Sequence, residues 1–419
     1  MKIRYYDVLI VGAGQAGAQT AISLRQHGYT GTIGLIGNEL ELPYERPALS
    51  KDYLSGERPF DALLLRRSEF WKEQDISLHL GVEVVSVDAE ESEVRGRDGE
   101  KFVYRRLVWA TGGRARKLTC PGNSFCGSYT IRSRADVDGL RRELQVARRI
   151  IVIGGGYLGL EAAATLNTLG KEVVVIEAAD RVLARMTAED VSRFLEAEHR
   201  ARGVDFRLSS SVLRIVGDAG RANGVELADG ERIAGDLIIV AIGIDVAAAP
   251  LLRAGATGAN GVLVDASCRT TLPNIYAVGD CTECAQSHLG GAVIRIESIQ
   301  NANDQADVAA RAIMGKEAIY DAVPWFWSNQ YDLKIQSIGL SKLHDAVVIR
   351  GDREKRSFTA IYLNRRRVVA MDCINATKDF VQGRTIVDKK LKLPPEKLAD
   401  SSIPLKDVAR MSMPIENAL

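Results

Sequence analysis

"IVIGGGYLGLEAA", residues 151–163, is the stretch on which the fold turns. A short apolar run meets three glycines, and helix-forming residues follow. "KEVVVIEA" then supplies a second apolar run that reaches Glu177. The pattern predicts a β-α-β unit. The spacing of Gly154, Gly156 and Gly159 matches the dinucleotide fingerprint. The first glycine permits the tight turn, the second lets a pyrophosphate approach the backbone, and the third lets helix and strand pack closely. Tyr157 and Leu158, between the glycines, belong to the same predicted nucleotide turn. Phosphates held there face free N–H groups at the positive end of the helix dipole. A carboxylate at Glu177 accepts both ribose hydroxyls and repels a 2′-phosphate, so NADH is expected over NADPH. Arg181 and Arg185 follow closely and oppose that preference.

The device occurs a second time. "LIVGAGQAGAQTA", residues 9–21, places Gly12, Gly14 and Gly17 at the same spacing, with Ala16 in the turn. "GTIGLIGNE" follows as a second strand, and its end falls roughly 20 residues on, where an acid should hold a ribose diol. Glu39 is the expected acid, with Asn38 the alternative. A lone match of this kind is weak. Strand, glycines, helix, strand and acid recurring in order, twice, predict two bound dinucleotides.

Composition sets the outer limits. The 419 residues suggest two or three domains, and 46% hydrophobic residues suffice for buried cores. A formal net charge of +1 argues against a bulk nucleic-acid binder. No apolar run reaches the ~18 residues that argue for a membrane span. The N-terminal residues read as a first strand rather than a signal peptide. The six cysteines are scattered, which fits a reducing, cytoplasmic setting. After about Pro324 the character changes. "YDLKIQSIGL", "AVVIRG", "SFTAIYL" and "RVVAMDCI" read as strands, and "ATKDFVQGRTIVDKK" as a helix, forming a separate α+β domain without a glycine fingerprint.

Further motifs resemble a known family. "VWATGG" (108–113) and "IIVAIG" (238–243) resemble the strand-to-glycine crossings of two-dinucleotide flavoprotein reductases, and "TTLPNIYAVGD" (270–280) resembles their second flavin motif. "ERPALSKDYL" (45–54), "IESIQNANDQA" (296–306) and "VPWFWSNQYDLKIQSIG" (323–339) resemble the NADH-dependent ferredoxin reductases of bacterial oxygenase systems. Ala48 departs from that pattern, standing where a second proline is usual.

The resemblance implies an α/β fold with two Rossmann-like, glutathione-reductase-like domains and the C-terminal α+β domain. Residues 1–111 and 244–324 would form a discontinuous FAD domain, 112–243 an NADH domain, and 325–419 the third. Val82, Ala110, Thr111, Gly112 and Gly279 would line the FAD site, and Asp280 would bond the ribityl chain. Ile242 and Gly243 would mark the NADH crossing. Lys51 would lie over the isoalloxazine near N5, with Arg46 and Pro47 beside it. Glu161 is either an acid favoured by the helix dipole or a group orienting the nicotinamide carboxamide. The helix beginning at Ser298 and Ile299 would aim its N-terminus at the N1–C2=O edge of the flavin. Glu297 is a cap, a flavin contact or both. Trp327 would sit by the dimethylbenzene edge, shielding it or lining the partner site; core packing or a domain seam is the alternative for both Trp325 and Trp327.

The implied activity is FAD-dependent NADH:ferredoxin reduction. Electrons would go to a 2Fe-2S ferredoxin that supplies a haem monooxygenase or a ring-hydroxylating dioxygenase. Lys51 and Glu161 are the candidate catalytic residues, and a monomer or weak dimer is expected. Rubredoxin reduction, NADH oxidation and non-catalytic NADH sensing are the alternatives. Arg365–Arg367 and Arg66–Arg67 are candidate docking patches for an acidic ferredoxin. The redox cysteine pair of disulfide reductases is missing from both of its usual places. Cys281 and Cys284 form the one C-x-x-C, and the resemblance places that loop against FAD. The histidines show no metal-ligand spacing, and no metal is expected.

Overall fold

The computed structural model describes residues 3–411, so the outermost ends of the outlined domains, residues 1–2 and 412–419, lie outside it. Contacts divide the chain into two units. The first comprises 1–45, 60–114 and 244–324; the second comprises 46–59, 115–243 and 325–419. By contacts, the "RPALSK" segment and the C-terminal strands therefore group with the second unit.

In the first unit, parallel strands lie side by side in the order Ile76–Leu80, Ile33–Gly37, Ile3–Val11, Lys101–Trp109 and Ile275–Ala277. The run Val8–Val11 is wholly buried, as a strand with both faces covered must be. Helix Gln15–Gln26 buries Ala16, Gly17, Ala18 and Ala21, small residues that allow close packing.

The second unit repeats the plan. Its parallel sheet runs Asp205–Arg207, Glu172–Ile176, Arg149–Ile153, Leu237–Val240 and Ser128–Tyr129. Helix Tyr157–Thr168 follows the first strand, as helix Gln15–Gln26 does in the other unit. Two further helices were not evident as such in the sequence. Arg134–Leu144 starts in a capping box made by Ser133 and Asp136. Glu189–Arg200 carries acids in its first turn and His199 and Arg200 in its last. The same unit holds the C-terminal antiparallel sheet, ordered Trp325–Gln330, Leu333–Gly339, Arg367–Ile374, Ser357–Asn364, Ala346–Asp352, with helix Thr377–Asp388 beside it. The mixed α/β fold and the C-terminal α+β part match the sequence reading.

The two glycine turns are near copies in their constraints. Gly12 has φ +114° and Gly154 φ +111°. A Cβ at Gly12 would lie 2.2 Å from the Ala110 carbonyl oxygen, and one at Gly154 2.4 Å from that of Ala241. A Cβ at Gly17 would lie 1.8 Å from the Gly12 oxygen, and one at Gly159 1.9 Å from the Gly154 oxygen. Gly14 and Gly156 differ in kind, since a Cβ at either meets nothing within 4 Å. Gly159→Ala should thus destabilise the protein by roughly 1–3 kcal/mol through backbone overpacking. Gly156→Ala, at an N-cap with ordinary φ −78°, should cost less than about 1 kcal/mol. Thermal unfolding without added nucleotide measures both, and equal losses would contradict the packing account.

Candidate functional site

In the first unit, strand Ile3–Val11 delivers Gly12 to the sheet's edge. Its N–H bonds the Ile36 carbonyl at 2.8 Å, and the Ala110 N–H bonds the Val11 carbonyl at 2.7 Å. These bonds hold Gly12, Gly14 and the Ala110–Thr111–Gly112 crossing together. Thr111 Oγ1 donates to the Ala247 carbonyl at 2.8 Å, so the hydroxyl serves the backbone of the crossing. Glu39 stands two residues beyond strand Ile33–Gly37 and accepts the Tyr44 hydroxyl at 2.6 Å. The Val82 N–H bonds the Gly37 carbonyl, which brings Val82 to the same edge. Gly279 has φ +81°, and a Cβ there would lie 2.8 Å from that of Ala16. Asp280 follows in a short turn. Gln305 ties this turn to helix Ile299–Ile313 by accepting the Gly279 N–H at 2.7 Å. Ser298 is that helix's N-cap, accepting the Asn301 N–H at 3.0 Å. Glu297 is not the cap; it is exposed and pairs with Arg295 at 2.6 Å. Serine at this position bonds the first-turn amides at lower cost than a long glutamate.

In the second unit, the Gly154 N–H bonds the Ile176 carbonyl at 2.8 Å, and the Ala241 N–H that of Ile153 at 2.8 Å. Ile242 and Gly243 continue this crossing, and Gly243 has φ +96°. Glu177 faces the glycines. Its Oε2 accepts the Gly155 N–H at 2.6 Å and its Oε1 the Ala179 N–H at 2.8 Å. Each oxygen retains a lone-pair direction for a further donor. Tyr157 sets its ring edge-on to Phe326, with centroids 4.3 Å apart, and Leu158 is exposed. The two arginines separate. Arg181 is spent on the chain itself, donating to the Thr187 and Ala184 carbonyls and to Ser192 Oγ. Arg185 is exposed.

The two candidate catalytic residues form an ion pair. Lys51 Nζ lies 2.6 Å from Glu161 Oε2, with both side chains largely buried. Lys51 also donates to the Pro47 carbonyl at 3.0 Å. Two serines complete the carboxylate's shell. Ser50 Oγ donates to Oε2 at 2.7 Å, and Ser328 Oγ to Oε1 at 2.6 Å. Neither serine was singled out in the sequence. A buried acid near a helix start needs donors, but the sequence does not say which distant strand brings them. Arg46 donates to the Arg132 carbonyl at 2.7 Å. Trp327 sits beside Trp325, ring centroids 5.6 Å apart, and Trp325 packs edge-on to Phe380. Behind Ser328, Gln330 Nε2 reaches the serine hydroxyl at 3.3 Å and its Oε1 meets His199 Nε2 at 2.9 Å.

Cys281 and Cys284 are not poised for thiolate chemistry. Burial pushes the Cys281 thiol up to about 11 and raises that of Cys284. All six cysteines are free thiols. Among the described residues, no group of three His, Cys, Asp or Glu side chains is arranged to hold a metal ion, and no helix is long and apolar enough to cross a membrane.

Comparison with known proteins agrees with this architecture. Residues 6–306 match the pyridine nucleotide-disulphide oxidoreductase family, and residues 325–409 match the reductase C-terminal family. The chain is 52% identical over 405 residues to the 5,5'-dehydrodivanillate O-demethylase ferredoxin reductase subunit of Sphingobium sp. (strain NBRC 103272 / SYK-6), covering 96% of this chain and 98% of that one. It is 50% identical over 408 residues to a ferredoxin–NAD(P)+ reductase of Sphingomonas sp., covering 97% and 98%. Among solved structures, the covalent putidaredoxin reductase–putidaredoxin complex superposes with a TM-score of 0.93 at 36% identity, covering 97% of this chain and 98% of that one. The chain therefore belongs to the pyridine nucleotide-disulphide oxidoreductase family. The kinship with ferredoxin reductases read from the motifs is borne out.

The buried His199 gives a pH prediction. Burial lowers its pKa to about 4 from an ordinary 6.5. Between those values the unfolded chain binds the proton and the folded protein does not. This contribution to stability is thus present above pH 6.5 and is lost as pH falls through about 4. Unfolding measured across that window should weaken less in His199→Gln than in the parent, and identical slopes would contradict the assignment.

Proposed function

We propose that the protein is an FAD-containing NADH:ferredoxin oxidoreductase, passing electrons to a 2Fe-2S ferredoxin of an oxygenase system. The observation that carries the reading is the pair of glycine cradles, one in each unit, within a chain whose relatives are named ferredoxin reductases. Both cradles fit a dinucleotide. Each has one glycine locked by positive φ and one whose Cβ direction is open, where a pyrophosphate can approach.

FAD, when bound, accepts a hydride from reduced nicotinamide and releases electrons singly to an iron–sulfur centre. The chain's own groups do the rest. Gly12, Gly14, Ala16 and Gly17 hold the FAD pyrophosphate at the start of helix Gln15–Gln26, and Glu39 takes the ribose diol. Asp280 bonds the ribityl chain. The N-terminus of helix Ile299–Ile313 favours negative charge on the pyrimidine side of the flavin. Val82, the 110–112 crossing and Gly279 line the rest of the site. Residues 1–111 and 244–324 thus serve FAD, residues 112–243 serve NADH, and 325–419 form the third domain.

In the NADH site, Gly154, Gly156 and Gly159 face the pyrophosphate together with Tyr157 and Leu158. Glu177 holds the adenosine ribose, Arg185 reaches that end of the nucleotide, and Ile242 and Gly243 complete the crossing. The Lys51 cation, held by Glu161 and the Pro47 carbonyl, stabilises negative charge that develops on the flavin. Pro47 fixes the Lys51 side chain through its carbonyl. Cytoplasmic placement suits six free thiols. An acidic ferredoxin suits the exposed turn at Arg365 and Arg366. Both residues hold positive φ, +49° and +65°, where asparagine and glycine are the usual occupants.

Turnover with NADH should be much faster with a 2Fe-2S ferredoxin than with rubredoxin, oxygen or a disulfide. Ferredoxin turnover no faster than that with oxygen would contradict the reading. NADH should be preferred over NADPH. Glu177→Ser should lower the ratio of their kcat/KM values by about tenfold, the worth of one charge-assisted hydrogen bond. An unchanged ratio would remove Glu177 from that role.

A further inference from the structure

The C-terminal sheet carries no glycine fingerprint, yet it grips the loop that follows Glu177. Residues 178–188 connect strand Glu172–Ile176 to helix Glu189–Arg200. At one point the loop is fastened to the glycine turn itself. The Leu183 N–H bonds the Gly155 carbonyl at 3.0 Å, with Leu183 buried at φ +54°. A branched side chain holds that conformation only where its surroundings enforce it. Four residues later the loop is fastened to the C-terminal sheet. Thr187 Oγ1 and the Tyr362 hydroxyl both donate to Asp372 Oδ2, and the Ala188 N–H donates to the Tyr362 oxygen at 2.7 Å. Tyr362 is 0% exposed, Asp372 4% and Thr187 5%. Arg181 adds an internal brace through the Thr187 and Ala184 carbonyls. Arg185 stands between the two fastenings, exposed.

This arrangement is expensive in a core. A carboxyl group is buried against hydroxyl donors, and burial raises its pKa. Apolar side chains of similar volume would fill the same place at less cost. What a polar cluster adds over an apolar one is direction, since its hydrogen bonds are satisfied only with residues 187–188 at one height and register.

We propose that Tyr362 and Asp372 are positioning residues for the nicotinamide dinucleotide: by clamping Thr187 and Ala188 they set the 183–188 span so that Arg185 meets the adenosine end of the nucleotide held at Glu177. The inference rests on the reading that the second unit holds NADH. It makes the C-terminal sheet part of the nucleotide site, not only a separate domain.

The test uses the FAD-loaded protein. Tyr362→Phe keeps the ring and removes both the donor to Asp372 and the acceptor for Ala188. It should raise KM for NADH and the Kd for NAD+ by about tenfold, the worth of one strong hydrogen bond. Its kcat at saturating NADH, FAD content and visible spectrum should stay close to the parent's. Thr187→Val should act likewise, and Thr187→Ser, which restores the hydroxyl, should recover parental values. This pair keeps the test alive if Tyr362→Phe does not fold. In an Arg185→Ala background, Tyr362→Phe should add little, because the clamp acts through that arginine. Parental KM and Kd in folded Tyr362→Phe and Thr187→Val, or a fall in kcat alone, would overturn the clamp. So would a full additional effect in the Arg185→Ala background. A parent protein that binds no NAD+ would instead overturn the underlying reading of the second unit.

Discussion

The contact on which both halves of this molecule depend is a helix crossing a strand with no Cβ between them. At Gly17 over Gly12, and again at Gly159 over Gly154, an added Cβ would sit less than 2 Å from a backbone oxygen. No rotamer change relieves such a clash, because the backbone fixes the Cβ position and the oxygen is itself backbone. The close crossing brings the first turn of the helix level with the end of the strand. Unsatisfied helix N–H groups then stand beside the open direction at Gly14 or Gly156. The close crossing and the open cradle are one constraint, met twice.

Around that repeated frame, two of the second unit's buried polar clusters draw on the C-terminal sheet. At one, Ser328 completes the shell of Glu161, whose charge is met by Lys51. At the other, Tyr362 and Asp372 hold the loop after Glu177. The first cluster contains a cation and the second is built from hydroxyls. A charged pair of this kind suits a carboxylate that must remain ionised although buried. A hydroxyl cluster suits a loop that must remain in place.

Legibility in the sequence followed the range of the interaction. The glycine turns and the acids at Glu39 and Glu177 were readable because each lies within one β-α-β unit. Glu161 was readable as an acid near a helix start, but not as the partner of Lys51 and Ser328, because those residues arrive from other segments. Asp372 lies inside "RVVAMDCI", an apolar strand in which a single acid gives no hint of Thr187 or Tyr362. Helix Glu189–Arg200 has terminal charges that follow the dipole rule, but its N-cap is Ala188 and no capping side chain marks its start. The sequence did not separate the two cap candidates, Glu297 and Ser298. Ser298 is the better cap, and Arg295 lies close enough to take the Glu297 carboxylate.

The central claim is that two near-identical cradles hold different nucleotides, one resident and one visiting. Placing a carboxylate in each phosphate cradle tests it most directly, because like charge repels the pyrophosphate without filling the backbone contact. FAD content after purification and flavin reduction by NADH under anaerobic conditions are the two readouts. Gly14→Asp should purify without flavin. Gly156→Asp should retain FAD that dithionite reduces, but NADH at concentrations sufficient for the parent should not. The opposite pattern, with flavin lost from Gly156→Asp and retained in Gly14→Asp, would contradict the assignment of both sites.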